Sequence, residues 1–369
     1  MLKIYNPGKQ YADKLLGDYH KHLFPFDLEN DKWIATSARE EADVIAVNFH
    51  ELTTEIALSQ KIIELKALKL RPEQKILFLH IFNITNTFAD TNYYLYIRKT
   101  LEQELKNDFA IIHTNSSQPR EICYDFLWNR QKLYYTEYNK IDLFERLYTH
   151  GTDESNFKLA PIEKTESLKK FLCPNRIYNF SHIRLEYRKK LANFLNQYQD
   201  DGYISDPVNG KILDAENPIV NKFLNEGGWH PVANRYYQQT FFSIFCETLT
   251  GNILVDSPYN SITEKTWDPL IKGHFILPFG YKGMIDHIKS YGFKFPDWID
   301  YSYDQIEDND SRFQAFQESA KKLLETSIDD LMDLYTKDRD ILIHNRQVFW
   351  DRPYDSLYDK VVTFFNNDN

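Results

Sequence analysis

The stretch SPYNSITEKTWDPLIKGHFILPFG, residues 257–280, decides the fold. It runs from a polar loop into a short helix opened by hydroxyl side chains, then into an apolar strand ending at Gly280. Thr263 stands where an N-cap belongs, because its hydroxyl can accept from a first-turn N–H that has no partner inside the helix. Such a terminus carries partial positive charge, and Lys265 adds a full charge in the same turn, so the unit is suited to an anion such as a phosphate. Helix followed by buried strand is the order of an open α/β sheet. Taken alone, Thr263-Glu264-Lys265 also fits an ordinary capped helix on a protein surface.

The same alternation extends on both sides. Apolar runs at 2–5, 33–36, 44–49, 75–82 and 109–113 predict strands, with helical periodicity at 54–70 and 93–105 between the later ones. Residues 149–164, THGTDESNFKLAPIEK, are polar and lack apolar periodicity, which marks a linker. A second unit opens at 170–176 and continues with a helix over 181–198, in which Leu185, Leu191, Leu195 and Tyr198 share a face flanked by Arg184, Arg188 and Lys189. Helices at 234–239, 263–272 and 285–291, strands at 241–246 and 252–255, and helical periodicity through 312–346 follow. The expected domains are 1–150 and 165–350, with 351–369 an amphipathic helix that packs back on the body.

A chain of 369 residues exceeds what one hydrophobic core usually supports. Hydrophobic content of 42% with 15% aromatics describes a folded protein. The net charge of −10 weighs against a grip on nucleic acid that is mainly electrostatic. Cys123, Cys173 and Cys246 have no paired spacing, so neither a zinc motif nor a disulfide framework is expected, and a reducing compartment is. With no apolar leader and no run of about 18 apolar residues, the expectation is a soluble cytoplasmic protein with no membrane span. Glycine-rich dinucleotide loops, P-loops, the Gly-x-Ser-x-Gly elbow and His-Glu-x-x-His are all missing, which removes the usual support for dehydrogenases, NTPases, serine hydrolases and zincins.

Segment 242–280, through Glu247, the run Ser261-Ile262-Thr263-Glu264-Lys265-Thr266-Trp267, Pro269, Gly273 and Gly280, resembles the donor-binding half of α1,3-fucosyltransferase-like glycosyltransferases. It is similar also to a group of phage and bacterial glycosyltransferase-like proteins with the same Thr-Glu-Lys helix and a Gly-Phe turn, here Gly292-Phe293. The resemblance spans 171–304 and is densest from 242 on. It implies an α/β fold of the GT-B type, two Rossmann-like domains facing a cleft, with the nucleotide-sugar in the second domain and the acceptor facing the first. Glu264 and Lys265 match the pair that contacts the nucleotide ribose and diphosphate, and Glu247 matches an acidic residue upstream. Arg188 falls where the family has a basic residue on the domain's first helix, but Tyr187 replaces the usual His before it. Glu247 and Arg188, with Tyr259, Ser261, Thr263 and Arg184, complete the expected donor-binding side. No cofactor is implied, since the nucleotide-sugar is a substrate. The acceptor is a glycan or small molecule; a hydroxymethylated base in phage DNA is an alternative, and a non-catalytic carbohydrate- or nucleotide-binding protein is a rival of another class.

The chemistry sets its own demands. Transfer from a nucleotide-sugar leaves a diphosphate, so fixed positive charge is needed where negative charge grows, from Lys265, an arginine and helix N–H groups. A metal could serve, but no Asp-x-Asp ends a strand, and Asp304 and the acidic residues at 308–310 read as an acidic loop, so metal independence is expected. Inversion needs a base at the acceptor hydroxyl. The run at 44–49 leads into His50-Glu51 and the run at 75–79 into His80, and the carboxyl ends of parallel strands are where α/β sites form. Glu51 or His50 is the first candidate and His80 the second; each, like His113, also fits a loop or a satisfied core residue. The segments Trp229-His230-Pro231 and Arg235-Tyr236-Tyr237 suit either stacking on a ligand or packing, and Asp286-His287 reads as a solvated helix face.

Overall fold

A computed structural model describes residues 2–5, 33–36, 39–48, 55–79, 91–113, 121–123, 162, 164–174, 186–205, 213, 232, 234–247, 262–352 and 357–367. The chain divides into two compact units, one of Met1–Leu133, Ile253–Ser261 and Tyr354–Asn369, the other of Tyr134–Asn252 and Ile262–Pro353.

The first unit holds strands β1 (Leu2–Tyr5), β2 (Trp33–Thr36), β3 (Val44–Asn48), β4 (Lys75–Leu79), β5 (Phe109–His113) and β6 (Glu121–Cys123), with α1 (Glu55–Ala67) before β4 and α2 (Thr91–Glu104) before β5. The strands form one sheet in the order β2-β1-β3-β4-β5-β6, and every neighbouring pair is parallel. Leu58, Ile62 and Leu65 recur at helical spacing along α1 and join Ile97 and Leu101 of α2 over Ile45, Ile76, Phe78 and Ile111 of the sheet. Parallel connections need crossovers, and these two helices are the described ones.

The second unit holds β7 (Phe171–Cys173), α3 (Glu186–Leu195), β8 (Gly202–Ile204), α4 (Asn234–Gln238), β9 (Phe242–Cys246), α5 (Glu264–Ile271), β10 (Phe275–Phe279), α6 (Met284–Ser290), α7 (Asn309–Glu325), α8 (Ile328–Lys337) and α9 (Arg339–Asp351). Its sheet runs β10-β9-β7-β8, again wholly parallel. All residues of β9 and β10 are buried, as expected for strands in a parallel sheet covered on both faces. Gly202 is required by this packing, since a Cβ there would lie 2.4 Å from the Phe171 ring.

Each unit therefore repeats one winding. The first strand lies between the second and the third, so the chain reverses its direction of travel across the sheet there, between β1 and β3 and again between β7 and β9. At such a switch point the connections leave on opposite sides and open a crevice at the carboxyl ends of the two strands. The last helix, α10 (Leu357–Asn367), packs on β6, and the Lys75 ammonium lies 5.4 Å from the centre of its Phe365 ring.

Several details differ from the sequence expectation. Strands β6 and β8 have three residues each, too short for an alternating pattern to register. Periodicity over 312–346 resolves into three helices, because Ser327 caps α8 by accepting from Asp330 N and Asp338 ends it. The acidic loop at 308–310 is instead a helix start, with Asp308 capping α7 through Ser311 N at 2.8 Å, and Asp304 is a buried residue, 3% exposed. Arg188 does not flank the face of its helix. It is buried, 7% exposed, beside Leu191 and Leu195.

Candidate functional site

The Thr263 cap forms as the sequence predicts. Thr263 Oγ1 accepts from Lys265 N at 3.4 Å and from the Lys265 ammonium at 3.2 Å. At its other end α5 closes on Gly273, whose φ of 75° is left-handed and favours glycine. His274 N donates to Pro269 O at 2.8 Å and Gly273 N to Leu270 O at 3.4 Å, the two bonds of a Schellman motif. Arg346 adds an Nη1 donor 3.3 Å from Ile271 O, a cation at the negative end of the helix.

Glu247 directly follows β9, at the carboxyl edge beside the β7/β9 switch point. It is wholly buried, and its carboxylate is turned onto α5: Oε1 accepts from Thr263 N at 3.1 Å and Thr266 Oγ1 at 2.6 Å, while Oε2 accepts from Thr263 Oγ1 at 2.5 Å. Its own N–H donates to Phe279 O at 2.8 Å, extending the pairing of β9 with β10. The first turn of α3 reaches the same strand end, where Cys246 Sγ lies 3.6 Å from Tyr187 O and the Tyr187 ring packs 5.0 Å from that of Phe279. The Tyr187 hydroxyl donates to Asp310 Oδ1 at 2.9 Å, and burial, reinforced by that carboxylate, pushes it up to about 12.

Two buried charged groups lie near the end of β10: Arg312, which the sequence did not signal, and Asp304, which it placed in an acidic loop. Arg312, 3% exposed, donates from Nη1 to Ile306 O at 2.9 Å and Glu307 O at 3.2 Å, and from Nη2 to Gly280 O at 3.2 Å and to Asn309 Oδ1. Asp304 Oδ2 accepts from Ile285 N at 3.0 Å in the first turn of α6, while burial pushes its carboxyl up to about 6 against the opposing pull of that bond and of Arg312. Asp286 is exposed as expected of a solvated face, but His287 is half-buried and its Nδ1 bonds the Tyr281 hydroxyl. Tyr236 and Tyr237 are buried packing residues, 8% and 4% exposed.

Thus the structure brings Glu247, Thr263 and Lys265 together and sets the helix of Arg188 against the same strand end. Glu264 opens α5. Tyr259, Ser261 and Arg184, and the base candidates His50, Glu51 and His80, lie outside the described residues, as do Trp229, His230 and Pro231 and most of the 149–164 linker. Among the described residues no group of three His, Cys, Asp or Glu side chains is placed to hold a metal ion, and no helix is long and apolar enough to cross a membrane.

No family model and no curated protein matches this chain. Among solved structures it is similar to one described as the crystal structure of an α1,3-fucosyltransferase, at 13% identity and a TM-score of 0.45, over 100% of this chain and 90% of that one. Similarity at that level fixes neither fold nor activity.

Proposed function

We propose that this chain is a glycosyltransferase that moves a sugar from a nucleotide-sugar to an acceptor hydroxyl, with inversion and without a metal, in the cytoplasm. One observation carries the proposal: Lys265, on a capped helix, is bonded to the same Thr263 that bonds Glu247 at the carboxyl edge of the parallel sheet, beside its switch point. Open α/β sheets bind nucleotides at that edge. The resemblance of 242–280 to the donor half of α1,3-fucosyltransferase-like enzymes supports the same assignment.

In this proposal Lys265 neutralises the charge that grows on the departing phosphate, an interaction stronger in the transition state than in the ground state. Glu264, Ser261, Tyr259, Arg184 and Arg188 complete the donor side. A carboxylate or imidazole, from Glu51, His50 or His80, takes the acceptor proton as the bond from the anomeric carbon to the phosphate oxygen breaks. The acceptor is a glycan or small molecule, with a DNA base as the alternative.

Thermal shifts against GDP-, UDP-, CMP- and dTDP-sugars test the donor, since a ligand at ~100 times its dissociation constant stabilises by roughly 2.7 kcal/mol. Slow donor hydrolysis separates an enzyme from a non-catalytic binder. Survival of that hydrolysis in EDTA is expected; loss with rescue by Mn²⁺ or Mg²⁺ would reverse the metal assignment.

A further inference from the structure

The three hydrogen bonds that Glu247 accepts from Thr263 and Thr266 all come from the start of α5. A hydroxyl has one proton and two lone pairs. Thr263 gives its proton to Glu247 Oε2, which leaves its lone pairs for the backbone N–H and the ammonium of Lys265. The polarity of this chain is set by charge at both ends: an ionised Glu247 only accepts, Lys265 only donates, and Thr263 is oriented between them.

We propose that Glu247 is a positioning residue for Lys265, acting through the Thr263 hydroxyl, and not itself a ligand of the donor. The carboxylate takes the N–H of the cap residue and the hydroxyls of Thr263 and Thr266, so a negative charge already sits at the positive end of α5 and weighs against a phosphate there. The anion is therefore met by the Lys265 ammonium, held at a fixed place by a buried counter-charge two bonds away. The effect on binding rests on the nucleotide-sugar proposal above; the relay itself does not.

Glu247→Gln tests the relay selectively. Thr263 N and Thr266 Oγ1 both donate to Oε1, so the amide carbonyl takes that position and the NH₂ falls at Oε2. There it donates to Thr263 Oγ1 and forces the hydroxyl proton toward Lys265, which has no acceptor to offer. Calorimetric titration with inorganic pyrophosphate, on variants whose circular dichroism and melting show them folded, should find Glu247→Gln and Thr263→Val each weaker by about 10-fold, as for loss of a charge-assisted hydrogen bond. Thr263→Ser should restore wild-type affinity, and Glu247→Gln should add nothing in the Thr263→Val background. Further weakening by Glu247→Gln in the Thr263→Val or Lys265→Ala background would show that Glu247 acts on the anion by a route other than Thr263 and Lys265, and overturn the proposal.

A second measurement needs no ligand. Reductive methylation of Lys265, followed by peptide mass spectrometry, should be faster in Glu247→Gln and Thr263→Val than in the wild type or Thr263→Ser. An unchanged rate in Glu247→Gln would overturn the relay. If wild-type protein binds no pyrophosphate, the nucleotide-sugar proposal fails and the methylation rates alone decide the role of Glu247.

Discussion

Thr266 Oγ1 lies 2.6 Å from Glu247 Oε1, tying the first turn of α5 to the end of β9 across 19 residues of sequence. Thr266→Val keeps the shape of the side chain and removes that donor from a carboxylate with no exposed surface. Unfolding in urea should show a loss of about 1–3 kcal/mol, the cost of losing one of the two hydrogen bonds to a buried carboxylate oxygen. Thr266→Ser should recover most of it, and equal stability of Val and Thr at this position would remove the bond from the account.

Gly273 ends α5 at a φ of 75°. A side chain in that left-handed conformation costs about 1–2 kcal/mol, so Gly273→Ala should lower the melting temperature without changing the secondary-structure content. A melting temperature at or above that of the wild type would contradict the Schellman closure.

His274 supplies the clearest pH dependence. It is buried, with Nε2 near Tyr237 O at 3.0 Å and Thr240 O at 2.7 Å and Nδ1 near Ser243 Oγ at 2.8 Å, so Nε2 carries the proton and Nδ1 accepts. Burial pushes it down from 6.5 to about 4, helped by Lys272 and opposed by the two carbonyls. The unfolded chain therefore binds the extra proton first: this stability is whole above pH 6.5 and is lost as pH falls toward 4, by about 3 kcal/mol in all. Denaturant midpoints measured across that range should fall accordingly, and a folded His274→Gln variant should lose this part of the slope. An unchanged slope in the variant would assign it to other groups.

Asp304 acts with the opposite sign. Its carboxyl is raised from 3.8 to about 6, so ionisation is resisted in the folded state and its cost is present above pH 6 and absent below 3.8. Asp304→Asn keeps an acceptor for Ile285 N while removing the charge. The variant should gain stability over the wild type at pH 8 more than at pH 4, as read from urea midpoints at the two values. A larger gain at pH 4 would show that the attraction of the Arg312 charge outweighs burial.

What the sequence disclosed follows from range. The α5 cap, Pro269 and Gly273 are local signals, so the helix and its ends were legible within one residue. So were the apolar runs of β3, β4, β9 and β10, because strands covered on both faces need no partner to be recognised. The sheet orders were not, since strand pairing is set by contacts between residues far apart. Glu247 shows the same limit: its acidic character was visible, but its attachment to Thr263 and Thr266 spans the connection from β9 to α5 and leaves no local pattern. Arg188 reads from the sequence as a flank of the apolar face of its helix, whereas it is buried with Leu191, Ala192 and Leu195, in a helix whose Tyr187 packs on Phe313 of α7, more than 100 residues on.

The central claim is that Lys265 serves transfer from a nucleotide-sugar. Its most direct test is the rate of nucleotide release from GDP-, UDP-, CMP- and dTDP-sugars by the wild type and by folded Lys265→Ala, with EDTA present. At least one donor should be turned over by the wild type, and Lys265→Ala should slow that turnover by ~100-fold if the charge acts mainly in the transition state. Release from none of the four, or an equal rate in Lys265→Ala, would contradict the account.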